Sequence, residues 1–120
     1  MEVLQVEEGN DTPAVILDKG RGIFEIRGRS LCNDPVSFYR PVIDWMGQYG
    51  AQPLETTELV FRLEYVDIAS SKVLFDLLRE VEKIPGAKAI WYFHEDDEDM
   101  EEIGEELAEL VGIPFTFKPC

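Results

Sequence analysis

The stretch Leu59-Val60-Phe61-Arg62-Leu63-Glu64-Tyr65-Val66-Asp67-Ile68-Ala69-Ser70-Ser71-Lys72-Val73-Leu74-Phe75-Asp76-Leu77-Leu78 changes its period part-way along. Leu59, Phe61, Leu63 and Tyr65 alternate with Val60, Arg62 and Glu64, the period of two that a pleated strand imposes. Val73, Leu74, Leu77, Leu78 and Val81 recur at helical spacing instead. A strand running directly into a helix is the unit from which α/β domains are built. At the junction Ser70 or Ser71 is the expected N-cap, because a serine hydroxyl accepts a bond from an otherwise unpaired amide of the first turn. The same position suits a phosphorylation switch. A phosphoryl group there meets free amides and the positive end of the helix dipole, so the fold carries the modification while its outer charge changes.

Working outward, Ala14 to Leu17 and Ile23 to Arg27 are strand candidates. Between them Asp18-Lys19-Gly20-Arg21-Gly22 supplies the glycines of a hairpin turn. Asp34 before Pro35 is an N-cap with proline at the first helical position, and Val36, Tyr39, Val42, Ile43 and Met46 mark the apolar face of a helix running to about Gln48. Pro41 inside that pattern lacks an amide donor and is expected to kink or loosen the early turns, unless the helix proper starts there. Beyond the central unit, Ala87 to Phe93 reads as an aromatic-rich strand and Asp96 to Val111 as a helix stopped by Gly112. Pro114 to Lys118 is a short last strand. The order ββαβαβαβ predicts a single α/β domain over residues 12–120, with a mixed β-sheet and helices mainly on one face. Residues 1–11 read as a flexible acidic arm with a short strand at Val3 to Val6.

Composition narrows the function. Eleven basic and 25 acidic residues leave a net charge of −14, which repels a phosphate backbone, so no nucleic-acid partner is expected. Ten of the acidic residues fall between Glu95 and Glu109, which steers a basic protein partner to that helix. With 45% hydrophobic residues, including two Trp, four Tyr and seven Phe, the chain fills a core without staples. Cys32 and Cys120 stand far apart with no metal-type spacing, as free thiols do in a reducing compartment. The first residues lack the run of a signal peptide and no stretch is long enough to span a membrane. A cytoplasmic protein without a membrane partner is therefore expected.

Motifs for catalysis are absent. There is no Gly-x-Ser-x-Gly elbow, Walker loop or dinucleotide fingerprint, so neither an enzyme nor a cofactor is expected. His94, the only histidine, precedes Glu95-Asp96-Asp97-Glu98-Asp99 and suggests a divalent-metal site or a general base as a remote alternative. The run has no glycine until Gly104, however, and a solvated acidic helix start accounts for it. Trp45, Trp91, Tyr39 and Tyr92 are read mainly as core, with Tyr39 and Arg40 reaching the surface beside the turn.

Taken with Thr12-Pro13-Ala14, the Phe24-to-Gly28 strand, Phe38-Tyr39-Arg40-Pro41-Val42-Ile43-Asp44-Trp45 and Trp91-Tyr92, the segment Tyr65 to Lys72 resembles the SiaC family of bacterial biofilm-regulation phosphoproteins. That family is similar to the STAS-type anti-sigma factor antagonists. The resemblance runs from about Thr12 to Phe117. It implies a STAS-like fold and a partner-switching system, in which a kinase and a phosphatase set the state of one hydroxyl and the unphosphorylated form binds an effector such as a diguanylate cyclase. It also implies a docking surface at the turn, with Ile68 and Ala69 as apolar contacts and Asp67 and Lys72 as orienting charges. One departure stands out. The family's turn reads like Tyr-x-Asn-Thr-Ser-Ser-x-Lys with the threonine phosphorylated, and Ile68 falls where that threonine should be. Either Ser70, ranked narrowly first, or Ser71 takes over the phosphate, or this chain is a constitutive interaction module without phosphocontrol. Asp67, in place of the family's asparagine, reads as a turn or capping residue.

Overall fold

The computed structural model describes residues 1–120. The strand β1 (Leu4–Val6) is followed by β2 (Ala14–Asp18), β3 (Ile23–Ser30), α1 (Pro35–Tyr49), β4 (Thr57–Val66), α2 (Ile68–Glu82), β5 (Ala87–Phe93), α3 (Glu98–Leu110) and β6 (Phe115–Pro119). All six strands join one sheet in the order of the chain. β1, β2 and β3 pair antiparallel, and β3 to β6 are parallel. The parallel strands are connected through α1, α2 and α3 in turn, and each of these helices packs on the same face, where Leu59, Phe61, Leu63, Ala89 and Trp91 are buried. The other face carries Glu58, Arg62 and Glu64, the residues that alternate with them in the sequence. The mixed α/β sheet with helices on one face is thus the architecture the periods predict.

Three details adjust the reading. The segment Leu4–Val6 is a sheet edge paired with Val15 to Leu17, and the Trp45 indole N–H, reaching from α1, donates to the Glu2 carbonyl at 2.8 Å. Helix α1 continues through Pro41 to Tyr49, rather than loosening there. Pro41 and Ser37, whose carbonyl loses its donor, both lie on the exposed side, while Tyr39, Val42, Trp45 and Met46 hold the inner side in the core. Asp34 caps it as expected, accepting the Ser37 amide at 3.1 Å and the Ser37 hydroxyl at 2.8 Å. These bonds hold the Asp34 carboxyl below the usual carboxylate range. The third helix begins after Asp97, one to two residues later than expected. The Asp97 carboxylate accepts the Met100 amide at 3.1 Å.

Within β3, Gly28 adopts φ +107°, and the β3–β4 register shifts between Gly28 and Arg29. Only glycine takes that backbone readily. Beyond the bulge Ser30 points inward opposite Val66, directly below the start of α2.

Candidate docking site at the start of α2

Strand β4 ends at Val66 and helix α2 starts at Ile68, so the cap is Asp67 and not either serine. The Asp67 carboxylate accepts the Ser70 amide at 2.7 Å, and its backbone carbonyl accepts the Ser71 amide at 3.0 Å. Aspartate and serine cap about equally well. The choice is made by the third bond of Asp67, whose own N–H donates to the Ser30 carbonyl at 3.1 Å and keeps it in extended backbone at the end of the strand. Ile68 to Ser71 therefore form the first turn of the helix.

The two serines differ sharply in environment. Ser70 is fully buried, and its hydroxyl has no hydrogen-bond partner. Ser71 is half-buried, and its hydroxyl donates to the Ile68 carbonyl at 2.7 Å. Under this turn sits a small polar layer that the sequence did not reveal. The hydroxyls of Ser30 and Tyr39 share a 2.7 Å hydrogen bond, with the Cys32 sulfur 3.9 Å from Ser30. Burial raises the Tyr39 phenol well above its ordinary pKa and also raises the Cys32 thiol. Tyr39, read mainly as core, is completely buried with its hydroxyl bonded to Ser30 and does not reach the surface beside the turn; Arg40 is exposed.

Outward from the layer the turn is apolar and open. Ile68 is 77% exposed, Tyr65 is 50% exposed, and Ala69 and Lys72 are also exposed. Facing them across an open hollow of about 910 Å³ is the first half of α3, with Asp99, Met100, Glu102, Ile103 and Glu106 on the opposite wall. A second hollow of about 370 Å³, between Ser71, Lys72, Phe75 and Asp76 on α2 and Leu107 and Leu110 on α3, shares Ile103 and Glu106 with the first. The two form one groove between α2 and α3. Its lining mixes apolar side chains, among them Ile68, Phe75, Ile103 and Leu107, with carboxylates, and Lys72 is the single basic side chain among them.

The residues singled out from the sequence, Asp67, Ile68, Ala69, Ser70, Ser71 and Lys72, thus fall together at the cap and start of α2. Four of them face outward or half-outward, Asp67 is engaged in the cap, and Ser70 is turned into the core. What sequence reasoning missed is the second wall. The acidic run was legible as a helix start, but its placement across from Ile68 depends on how α2 and α3 pack on the sheet. The Trp91 indole N–H, which donates to the Met100 carbonyl at 3.0 Å, helps fix α3 there. His94 is exposed in the loop before α3, and no three His, Cys, Asp or Glu side chains converge to hold a metal ion. Both cysteines are free thiols. No helix is long and apolar enough to cross a membrane.

A family model described as SiaC family regulatory phosphoprotein matches residues 6–120. The chain belongs to the SiaC family. A chain in the crystal structure of the diguanylate cyclase SiaD with its activator SiaC, from Pseudomonas aeruginosa, superposes with a TM-score of 0.89 at 26% identity, covering 98% of this chain and 99% of that one. The apo-SiaC crystal structure from the same organism superposes at 0.83 with 27% identity and the same coverage. An uncharacterised protein of P. aeruginosa strain UCBPP-PA14 is 27% identical over 122 residues, spanning 98% of this chain and 97% of its own length. Membership of the SiaC family agrees with the resemblance drawn from the turn and the α1 segment.

Proposed function

We infer that this chain is a non-catalytic, cytoplasmic adaptor of a bacterial partner-switching system that controls biofilm formation. It docks an effector of the diguanylate-cyclase class on the turn 67–72 and the groove behind it. The observation that carries this reading is Ile68, an isoleucine three-quarters exposed at the first position of a capped helix, with Ala69 beside it and an acidic wall opposite. Isolated exposed aliphatic residues are ordinary, but one that continues into the apolar lining of a groove favours a contact surface. The carboxylate rim selects a partner segment with apolar anchors flanked by Lys or Arg, and speeds its arrival. The relationship to SiaC, which activates the cyclase SiaD, supplies the effector class.

Phosphorylation in this turn, set by a cognate kinase and phosphatase, switches docking off. Of the two serines, Ser71 is the hydroxyl within a kinase's reach, whereas Ser70 requires the helix start to open. A phosphate adds about −1.5 to −2 charges, here inside an already acidic groove and next to apolar contacts that must lose water on binding. Titration calorimetry against the diguanylate cyclase of the same cell tests both parts. Ile68→Asp and Ser71→Glu are each expected to weaken binding at least ~10-fold, the equivalent of about 1.4 kcal/mol. Unchanged affinity for Ile68→Asp would remove the docking site; unchanged affinity for Ser71→Glu alone would remove the switch.

That second outcome leads to the other reading, a constitutive interaction module. It is favoured by Ile68 standing where the family's turn carries its acceptor threonine, and it predicts the same docking with no modified form.

A further inference from the structure

Helix α2 carries two capping residues about one turn apart. Asp67 holds the start in the unmodified chain, accepting the Ser70 amide on its carboxylate and the Ser71 amide on its carbonyl. Next along the same face stands Ser71, of a residue type that caps as well as aspartate does. Its hydroxyl is engaged elsewhere, donating to the Ile68 carbonyl at 2.7 Å. The residues between the two caps bring α2 almost no apolar anchorage. Ile68 and Ala69 are exposed, and Ser70 is buried with its hydroxyl unpartnered. The apolar side chains that seat the helix are Val73, Leu74, Leu77, Leu78 and Val81, all of them beyond Ser71. The first turn is therefore the part of α2 that can leave without disturbing the core, and a buried hydroxyl without a partner favours its leaving.

A phosphate on Ser71 changes the balance between the two starts. In the transfer the Ser71 Oγ bonds to the terminal phosphorus of a nucleoside triphosphate, the bond from that phosphorus to the departing diphosphate breaks, and the hydroxyl proton is given up to the kinase. The donor to the Ile68 carbonyl goes with that proton. In its place stands a group of about −1.5 to −2 charges. While the helix starts at Asp67, the amides of Ser70 and Ser71 are already taken, and the phosphate lies one turn from the Asp67 carboxylate, the spacing at which like charges repel. When the helix starts at Ser71, the amides of Val73 and Leu74 lose their partners at Ala69 and Ser70. They then face the phosphate at the positive end of the dipole.

We propose, resting on the docking and the Ser71 phosphorylation inferred above, that the phosphate moves the start of α2 by one turn, from Asp67 to Ser71, and unwinds Ile68 to Ser70. The docking surface then loses Ile68 and Ala69 as fixed side chains, in addition to any repulsion from the added charge. Asp67 keeps its N–H bond to the Ser30 carbonyl, and the helix from Lys72 onward keeps its seat, so the change is confined to the turn that docks.

NMR of the full chain with genetically encoded phosphoserine in place of Ser71 tests this without the kinase. The Cα shifts of Ile68, Ala69 and Ser70 are expected to move from helical to coil values, and exchange of the Ser70 and Ser71 amides to speed up at least ~10-fold, while Leu74 to Val81 keep helical shifts. Ser71→Glu carries its charge on a side chain that does not cap, and is expected to keep the first turn helical, as is Ser71→Ala. Helical shifts at Ile68 to Ser70 in the phosphorylated chain overturn the proposal, as does unwinding that runs past Leu74 or that appears equally in Ser71→Glu. Calorimetry of the same proteins against the diguanylate cyclase of the same cell separates this from the docking reading. A helical turn with docking lost overturns the shift of start and keeps the docking site; an unwound turn with docking intact bears out the shift and overturns the docking site.

Discussion

Removing the cap at Asp67 separates what holds the turn from what the turn presents. In Asp67→Ala the backbone bonds to Ser30 and from Ser71 remain, and the lost bond is the one from the Ser70 amide at 2.7 Å. Truncating an N-cap aspartate costs ~1 kcal/mol, and losing a negative charge at the helix N-terminus adds ~0.5 kcal/mol. The sum, ~1.5 kcal/mol, lowers the melting temperature of a domain this size by ~6 °C, at ~4 °C per kcal/mol. Asp67→Asn keeps the acceptor oxygen and loses only the charge, so it is expected to cost ~0.5 kcal/mol, or ~2 °C. Urea denaturation followed by far-UV circular dichroism reads both values. If Asp67→Ala is within ~0.3 kcal/mol of the parent, or if Asn is as damaging as Ala, the cap is not what anchors α2 and the reasoning fails.

Other perturbations probe the surroundings of that turn. Ser70→Ala removes a buried hydroxyl that has no partner, and is expected to be neutral or to stabilise by up to ~1 kcal/mol; a loss above ~1 kcal/mol in the same denaturation assay would mean the hydroxyl is engaged. Gly104→Ala places a Cβ 2.6 Å from the Trp91 ring, whose N–H is fixed on Met100, so calorimetric melting should show a loss of ~1–3 kcal/mol despite alanine's better helix propensity. The Cys32 thiol and the Tyr39 phenol are both raised in the folded state, so the fold favours their protonated forms. Their contribution is complete below the unfolded values of 9.0 and 10.0 and is lost as pH climbs above them. Melting temperature is expected to fall from pH 8.5 upward, with a shallower fall in Cys32→Ala; equal slopes would contradict the buried polar layer.

Much of the fold is written in residue alternation. Leu59, Phe61 and Leu63 against Glu58, Arg62 and Glu64 announce a strand with one wet face, and the shift to helical spacing at Val73 announces the crossover. The cap was less legible because Asp67, Ser70 and Ser71 are all good capping residues within five positions, and the choice rests on a bond to Ser30, 37 residues away in the chain. Tyr39 is core, as mainly read, but its reach to the surface and the loosening at Pro41 were misread for a related reason. Local propensity places an aromatic or a proline only approximately, and here the Ser30 hydroxyl and the buried side of α1 decide. The turn itself, residues 67–72, could be picked out from the change of period. Its partner wall on α3 could not, since the angle between two helices is not a property of either sequence.

The switch is tested most directly by tandem mass spectrometry of the protein taken from its native cells across growth conditions. Trypsin cuts after Arg62 and Lys72 and releases Leu63 to Lys72 as one peptide, carrying Tyr65, Ser70 and Ser71. The account predicts a phosphate localised to Ser71 whose occupancy changes with growth condition. A peptide unmodified in every condition would contradict the switch and leave a constitutive docking module, with Ile68 marking the place of the missing threonine.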